Sequence, residues 1–353
     1  MSARPAFPRL LLEPAPRRVL LVPPRWVGDL VAITAVLEAA AAHFAARGAE
    51  VAILTPRSRA PLFAGGPLAQ TLLCYEGNEP RAARAAVRAR AFDLGILFAT
   101  SFGSAYELWR AGVATRIGFG DGGRRFLLSE RLAPLREGWR RAPYPAVRAA
   151  RDLVGVLGID VWDLRPRLYF DLASEESARA TLASGGLDPE RDYVVVHPGG
   201  AFGPAKRWPA EKVAPVIEAL VHERGFGVYV HGGPDERAAI AELRACTRAP
   251  FAGADTCAID LELLKPIIDG AALVVTTDSA PRHFAAAFEV PCAVVMGPTS
   301  PRYTNANLRH QRLVRIDVDC GPCQRRTCAL DHRCLRGIET RVVLEACEDL
   351  LRA

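Results

Sequence analysis

Four short segments collect residue types that bind and activate phosphorylated substrates. The first, PRWVGD at residues 24–29, ends in Gly28, which lets the backbone turn tightly, and Asp29 at a helix start. A carboxylate there either caps the helix or, at the mouth of a sheet, serves as general base toward a hydroxyl. The second, HPGGAFGPAKRWP at residues 197–209, exposes backbone N–H groups at Gly199, Gly200 and Gly203 and then presents Lys206 and Arg207 before a helix. That combination suits a diphosphate, although an ordinary Gly-Pro loop with solvated charges has the same composition. The third, HGGPDE at residues 231–236, follows a strand and opens a helix; Glu236 is placed to accept hydrogen bonds from ribose hydroxyls or simply to favour a helix N-terminus. In the fourth, TTDSAPRH at residues 276–283, Asp278 or Ser279 caps a helix that starts near Ser279 and carries His283 in its first turn or so, a second anion site.

Segments of this kind need strands that deliver them and helices that receive them. RVLLVP at 18–23, EVAILT at 50–55, FDLGILF at 92–98 and TRIGF at 115–119 read as strands, with an Ala-rich helix from Leu30 to Arg47 closed by Gly48. Residues 121–150 are rich in Gly, Arg and Pro and read as surface loops, followed by a helix at 147–157. The pattern restarts with strands at 193–197, 226–231, 271–276 and 290–296 and helices at 209–224, 235–246, 279 onward and 341–351; residues 259–269 are amphipathic. Alternating strand and helix implies two parallel α/β sheets, and in such sheets ligands bind at the carboxyl ends of the strands, where all four segments fall. The expected organisation is an N-terminal acceptor-binding Rossmann-like domain over 1–175 and a C-terminal nucleotide-sugar-binding one over 176–353, joined near 171–190.

Composition narrows the function. The 353 residues, half of them hydrophobic, exceed what one core holds comfortably. No apolar run of about 18 residues is present, and the charged, proline-containing start does not read as a signal peptide, so a cytoplasmic protein is expected. The halves differ in charge: residues 1–175 hold 24 Arg against 16 Asp and Glu, a net of +8, and the remainder has a net of −2. The N-terminal half is therefore suited to an anionic partner, with Arg25, Trp26, Arg124 and Arg125 as candidate contacts within a basic run that includes Arg131, Arg136, Arg140 and Arg141. No helix-turn-helix, zinc-finger or RNA-recognition signature accompanies the charge, so nucleic acid is not the expected partner. No P-loop occurs, which argues against a P-loop kinase. Cys320, Cys323, Cys328 and Cys334 lie within 15 residues beside Asp331 and His332, a candidate structural zinc site or else four reduced thiols in a compact loop.

Taken together, VGDLVAITAVLEA at 27–39, the 197–209 loop, VTTDSAPRHFAAAFEVPCAVVMGPTSP at 275–301 and DCGPCQRRTCALDHRC at 319–334 resemble the ADP-heptose:lipopolysaccharide heptosyltransferases of glycosyltransferase family 9, heptosyltransferase II branch. The resemblance implies a GT-B fold, two Rossmann-like domains facing across a cleft. It also implies an ADP-L-glycero-D-manno-heptose donor, inversion at the anomeric carbon and a lipid A–Kdo–heptose acceptor, with no cofactor required. It places a base at Asp29, diphosphate contacts at Lys206, a ribose contact at Glu236, and donor contacts at Asp278, Ser279 and His283. It further implies a cytoplasmic enzyme peripheral to the anionic inner membrane, probing the inner core with its Arg-rich half. The chain departs from the family's usual pattern at Ala280, where Gly is customary, and Pro281 removes an N–H donor. Other readings are a family 9 enzyme with a different donor or acceptor, and a GT-B-like nucleotide-sugar epimerase.

Overall fold

The computed structural model describes residues 8–77, 80–188, 190–257 and 259–352; the expected ragged start lies partly outside them. The chain divides into two units, Met1–Arg167 and Leu168–Ala353. The division precedes the expected 175/176 boundary because residues 171–190, read as a joint, begin with a helix of the second unit. That helix, Leu172–Ser184, is capped by Asp171, whose side chain accepts from the Ser174 N–H at 2.8 Å, and Ser174 Oγ reaches Glu262 Oε1 at 3.1 Å.

The first unit contains strands β1 (Arg18–Val22), β2 (Glu50–Pro56), β3 (Leu72–Tyr75), β4 (Leu94–Leu97), β5 (Thr115–Phe119) and β6 (Glu130–Leu132). They form one parallel sheet in the order β3-β2-β1-β4-β5-β6. A small antiparallel hairpin, β7 (Arg136–Glu137) and β8 (Arg140–Arg141), follows. The second unit repeats the plan with β9 (Tyr193–His197), β10 (Gly227–Val230), β11 (Ala252–Gly253), β12 (Leu273–Thr277), β13 (Cys292–Val295) and β14 (Gln311–Val314), ordered β11-β10-β9-β12-β13-β14 and parallel throughout. Each sheet thus reverses its winding once, between β1 and β4 and between β9 and β12, and a crevice opens there at the carboxyl ends.

Burial explains why the central strands read as near-continuous apolar runs. Val19, Leu20 and Leu21 in β1, and Val194, Val195 and Val196 in β9, are completely buried, as strands covered by helices on both faces must be. Helices meet these strands through Val87, Ala105 and Leu108 in the first unit and through Val213, Ile217 and Ile240 in the second.

The Ala-rich helix is not continuous. It runs over Val27–Ala32, breaks at Ile33 and resumes over Thr34–Ala45. At the break the Thr34 hydroxyl donates to the Val31 carbonyl at 2.9 Å and accepts the Arg167 N–H at 2.7 Å, a local bonding pattern that competes with helical pairing. The 121–150 segment, expected to be loop, contains a 3-10 turn at Gly122–Phe126, the edge strand β6 and the β7–β8 hairpin. Among the described residues no helix is long and apolar enough to cross a membrane.

Gly48 ends the second helical segment at φ +80, with open space where a Cβ would stand. Any cost of Gly48→Ala is therefore conformational. The substitution is expected to destabilise the protein by about 1–2 kcal/mol without touching a contact. Chemical denaturation with Gly48→Asn, which tolerates this conformation better, separates backbone strain from packing.

Candidate active site

The register of the second sheet pairs Thr276 with His197, so the loops leaving β9 and β12 emerge side by side at the switch point. Thr277 Oγ1 donates to the Gly199 carbonyl and fastens one loop to the other. From the β10 side, Glu236 reaches back: Oε1 accepts from the Gly200 N–H at 2.7 Å and Oε2 from the Gly233 N–H at 2.9 Å. One carboxylate therefore ties two strand-end loops together. A Cβ on Gly199 would lie 1.7 Å from Glu236 Oε1, so this contact requires glycine.

The charged centre lies behind these loops. Asp278, 7 % exposed, follows β12. Its Oδ1 accepts from Arg282 Nη1 at 2.8 Å; its Oδ2 accepts from Lys206 Nζ at 3.1 Å and from Thr299 Oγ1 at 2.7 Å. Lys206 Nζ also donates to the Asp278 carbonyl at 2.6 Å and lies 5.0 Å from the Phe202 ring centroid. Burial opposes the Asp278 charge, but the adjacent Lys206 and Arg282 overcome that and hold its carboxyl well below the ordinary 3.8. Two cations flank one anion, so the group carries a net positive charge, the sign a diphosphate requires.

The other expected residues are arranged around it. Ser279 is the N-cap of the Ala280–Phe288 helix, but its side chain makes no cap bond and instead lies 3.0 Å from Thr276 Oγ1. Asp278, weighed as an alternative cap, is instead committed to Lys206, Arg282 and Thr299. Burial, reinforced by Arg282, lowers the His283 imidazole to about 3 and keeps it neutral near pH 7. His231 is held at about 3 by burial and by His197, whose Nδ1 lies 2.9 Å from the His231 carbonyl. Arg207 is exposed beside a cavity of about 240 Å³ that Gly199, Glu236, Trp208, Val213 and Ile240 also line.

In the first unit, Asp29 occupies the first turn of the Val27–Ala32 helix and is half-buried; Trp26, not Asp29, is the N-cap, which removes the capping reading. Arg25 and Trp26 are exposed in the loop after β1. Arg124, expected within a surface patch, is 2 % exposed. Its Nη1 donates to the Ala99 carbonyl at 2.7 Å and, more weakly, to the Ser101 carbonyl at 3.4 Å, whereas its Nε and Nη2 have no partner among the described residues. Burial lowers this guanidinium to about 10, still charged near pH 7. Arg125 is exposed. Sequence reasoning placed Arg124 outside because charge signals exposure; its one distinguishing cue was Gly118, where a Cβ would stand 2.8 Å from Arg124 Nη2.

The four tail cysteines are free, and among the described residues no three His, Cys, Asp or Glu side chains are grouped so as to hold a metal ion. Cys334 is buried against Gly297, and burial raises its thiol above the ordinary 9.0.

Because the Asp278 carboxyl is depressed on folding, its ionisation stabilises the protein fully above 3.8 and progressively less as pH falls below that value. Asp278→Asn leaves Lys206 and Arg282 without their shared anion and is expected to lose about 3–5 kcal/mol near neutral pH. Urea unfolding should show the difference between the variant and the parent shrinking on acidification; a constant difference would contradict the assignment.

The matched family model is glycosyltransferase family 9 (heptosyltransferase), over residues 81–333. Lipopolysaccharide heptosyltransferase 2 of Salmonella typhimurium is 26 % identical over 346 residues, covering 95 % of this chain and 98 % of that protein. Among solved structures, Escherichia coli ADP-heptose lipopolysaccharide heptosyltransferase II superposes with a TM-score of 0.74 at 24 % identity, over 95 % of this chain and 98 % of that one. The E. coli heptosyltransferase WaaC with ADP-2-deoxy-2-fluoro heptose superposes at 0.62 and 18 % identity, over 94 % and 99 % of the two chains. A family model spanning most of the chain and two parallel sheets of the same order lead to one conclusion: the chain belongs to glycosyltransferase family 9 and is a glycosyl-transferring enzyme of the GT-B class.

Proposed function

We infer that this enzyme transfers heptose from ADP-L-glycero-D-manno-heptose to the lipopolysaccharide inner core, adding the second heptose to a lipid A–Kdo–heptose acceptor. The observation that carries the reading is the largely buried, net-positive Lys206–Asp278–Arg282 group beside the three-glycine loop, in a chain several of whose curated relatives are named heptosyltransferase 2 and others heptosyltransferase 1 or 3. Transfer is a single displacement: the acceptor oxygen attacks the anomeric carbon, the bond to the diphosphate breaks, and ADP leaves. Asp29, in the first turn of the Val27–Ala32 helix, takes the hydroxyl proton. Lys206, the Gly199–Gly200 loop and the helix at Ser279 face the leaving diphosphate, Arg207 borders it, and Glu236 takes the ribose. Removing one such preorganised donor typically costs roughly 3–4 kcal/mol of barrier. Side chains supply the charge stabilisation, so no cofactor is assigned.

The acceptor is anionic, and Arg124 suits it. Its guanidinium is buried, so it offers the acceptor a fixed positive charge at the carboxyl end of β5 and not a direct contact. Arg25, Trp26 and Arg125 extend the same reading to the loops around it.

The decisive test is mass spectrometry of a mono-heptosylated lipid A–Kdo acceptor incubated with ADP-heptose. The wild type should add one heptose. Asp29→Asn should be slowed by about 10²–10⁴-fold while ADP still raises its melting temperature. Thermal protection by ADP-heptose without transfer would discard the acceptor; donor consumption without acceptor would favour the epimerase alternative.

Membrane contact belongs to the same reading. Trp139 at the tip of the β7–β8 hairpin is 78 % exposed, with the Arg140 guanidinium 4.5 Å from its ring centroid; Phe126 is 79 % exposed, with Arg125 at 5.4 Å. Exposed aromatics paired with arginines suit the headgroup layer of an anionic leaflet. The protein should co-sediment with phosphatidylglycerol vesicles and less with neutral ones, and Trp139→Ala/Arg140→Ala should release most of it. Unchanged binding by the double variant would discard this face.

A further inference from the structure

Arg282 contributes charge to the group described above but has no assigned contact with donor or acceptor, and its own side chain is densely engaged. It is 1 % exposed. Its Nε and Nη2 donate to Gln311 Oε1 at 3.2 and 2.8 Å, its Nη1 donates to Asp278 Oδ1 and, at 2.9 Å, to Thr304 Oγ1, and its Nη2 also reaches the Thr304 carbonyl at 3.4 Å. Gln311 returns a bond from Nε2 to the Arg282 carbonyl at 3.0 Å. The guanidinium is thus fixed by β14 and by the 3-10 segment around Pro301–Tyr303, and it presents one nitrogen to Asp278.

We propose that Arg282 is a positioning residue for the donor diphosphate: it keeps a cation on Asp278 so that Lys206 can leave that carboxylate and turn to the phosphates. The inference rests on the proposed reading of Lys206 as the diphosphate contact. The physical problem is one of exchange. Lys206 is bonded to Asp278 in the structure, and to meet a phosphate oxygen it must give up at least the carboxylate. A buried carboxylate that loses its only cation is strongly destabilised and takes up a proton instead. With Arg282 and Thr299 still in place, Asp278 keeps an ion pair and a hydrogen bond, so the exchange needs no proton. The net charge follows the same logic. Lys206 and Asp278 alone would be a neutral pair; Arg282 makes the group positive.

The charged and titratable groups facing Asp278 are Lys206 from the loop after β9 and Arg282 and His283 from its own helix. His283, held at about 3, does not titrate near neutrality. A proton taken up on diphosphate binding by an Arg282 variant beyond what the wild type takes up is therefore assigned to Asp278, the ligand's own phosphate being common to both.

The experiment is calorimetric titration of the full-length protein with ADP, in buffers of different ionisation enthalpy, from about pH 6 to about pH 8. The terminal phosphate of ADP itself titrates near about pH 6, so the wild type sets the baseline and its proton balance should be that of this phosphate alone. Arg282→Met should bind more weakly by about tenfold or more, take up close to one proton more than the wild type, and weaken further relative to it as pH rises. Arg282→Lys, which keeps the charge and loses the fork to Gln311, should restore the wild-type profile. Wild-type affinity and proton balance in a folded Arg282→Met would overturn the proposal. If Arg282→Met does not fold, Arg282→Lys decides alone: the proposal expects the wild-type pH profile of ADP binding, and extra proton uptake or lost binding in that folded variant would overturn it. Lys206→Ala separates the two readings. ADP binding that is indifferent to Lys206 removes the diphosphate assignment and this inference with it, whereas Lys206-dependent binding that ignores Arg282 removes the inference alone.

Discussion

A carboxylate buried between a lysine and an arginine organises the second unit's site. Asp278 is expensive to desolvate, and its ionised state is tolerated because four hydrogen bonds from three residues converge on its carboxylate oxygens and its carbonyl: two from Lys206, one from Arg282 and one from Thr299. Those donors come from the loop after β9, the helix after β12 and the loop after β13. The sheet order β9-β12-β13 makes this convergence possible, because neighbouring parallel strands bring their carboxyl-end loops together. Glu236 does the same on the β10 side by gathering the Gly200 and Gly233 amides. Two carboxylates, each joining a sequence-local partner to a distant one, therefore hold the glycine loop from both sides.

Much of the fold was legible because buried parallel strands leave a strong local imprint. TRIGF at β5 and YVVVH at β9 were read with their observed bounds, since nothing but a covered strand explains such runs between Gly and Asp punctuation. What escaped was short or at an edge. β3 has four residues, β6 three and β11 two, and β14 alternates buried and exposed positions too briefly to stand out. The Leu172–Ser184 helix was read as a joint because its apolar face is narrow, with Ala178 and Leu182 as its buried hydrophobic residues. Strand order left no trace in the sequence at all, because parallel pairing is decided by crossovers and not by the pattern within a strand.

The site divided along a similar line. Residue types and the loops bearing them were legible: Lys206, Glu236, Asp278 and His283 all lie at strand ends in the second unit. Their pairings were not, since Lys206 and Asp278 are distant in sequence and either could have been solvated. Arg124 shows the limit most clearly. In a segment rich in arginine it looked like one more surface charge, whereas Gly118 leaves room for its guanidinium and the Ala99 carbonyl accepts from it.

The unusual segment at residues 280–282 gains a physical explanation from these contacts. Replacing the customary glycine by Ala280 and following it with Pro281 weakens the helix N-terminus as an anion site, because proline lacks the N–H that the second helical position would otherwise offer. The next residue is the buried Arg282, which adds a full positive charge behind the same strand end. Under the proposed function, the substitution moves donor recognition from backbone dipoles toward side-chain cations. A dipole at a helix end falls off within a turn, whereas a guanidinium shielded from water acts over a longer reach and needs only a well-held carboxylate to stay in place. Lys206 and Arg282 can both remain charged at this depth because Asp278 lies between them, and Asp278 can remain ionised because they flank it. The three residues are therefore one unit, and a change in any of them is felt as a change in the charge offered to the diphosphate.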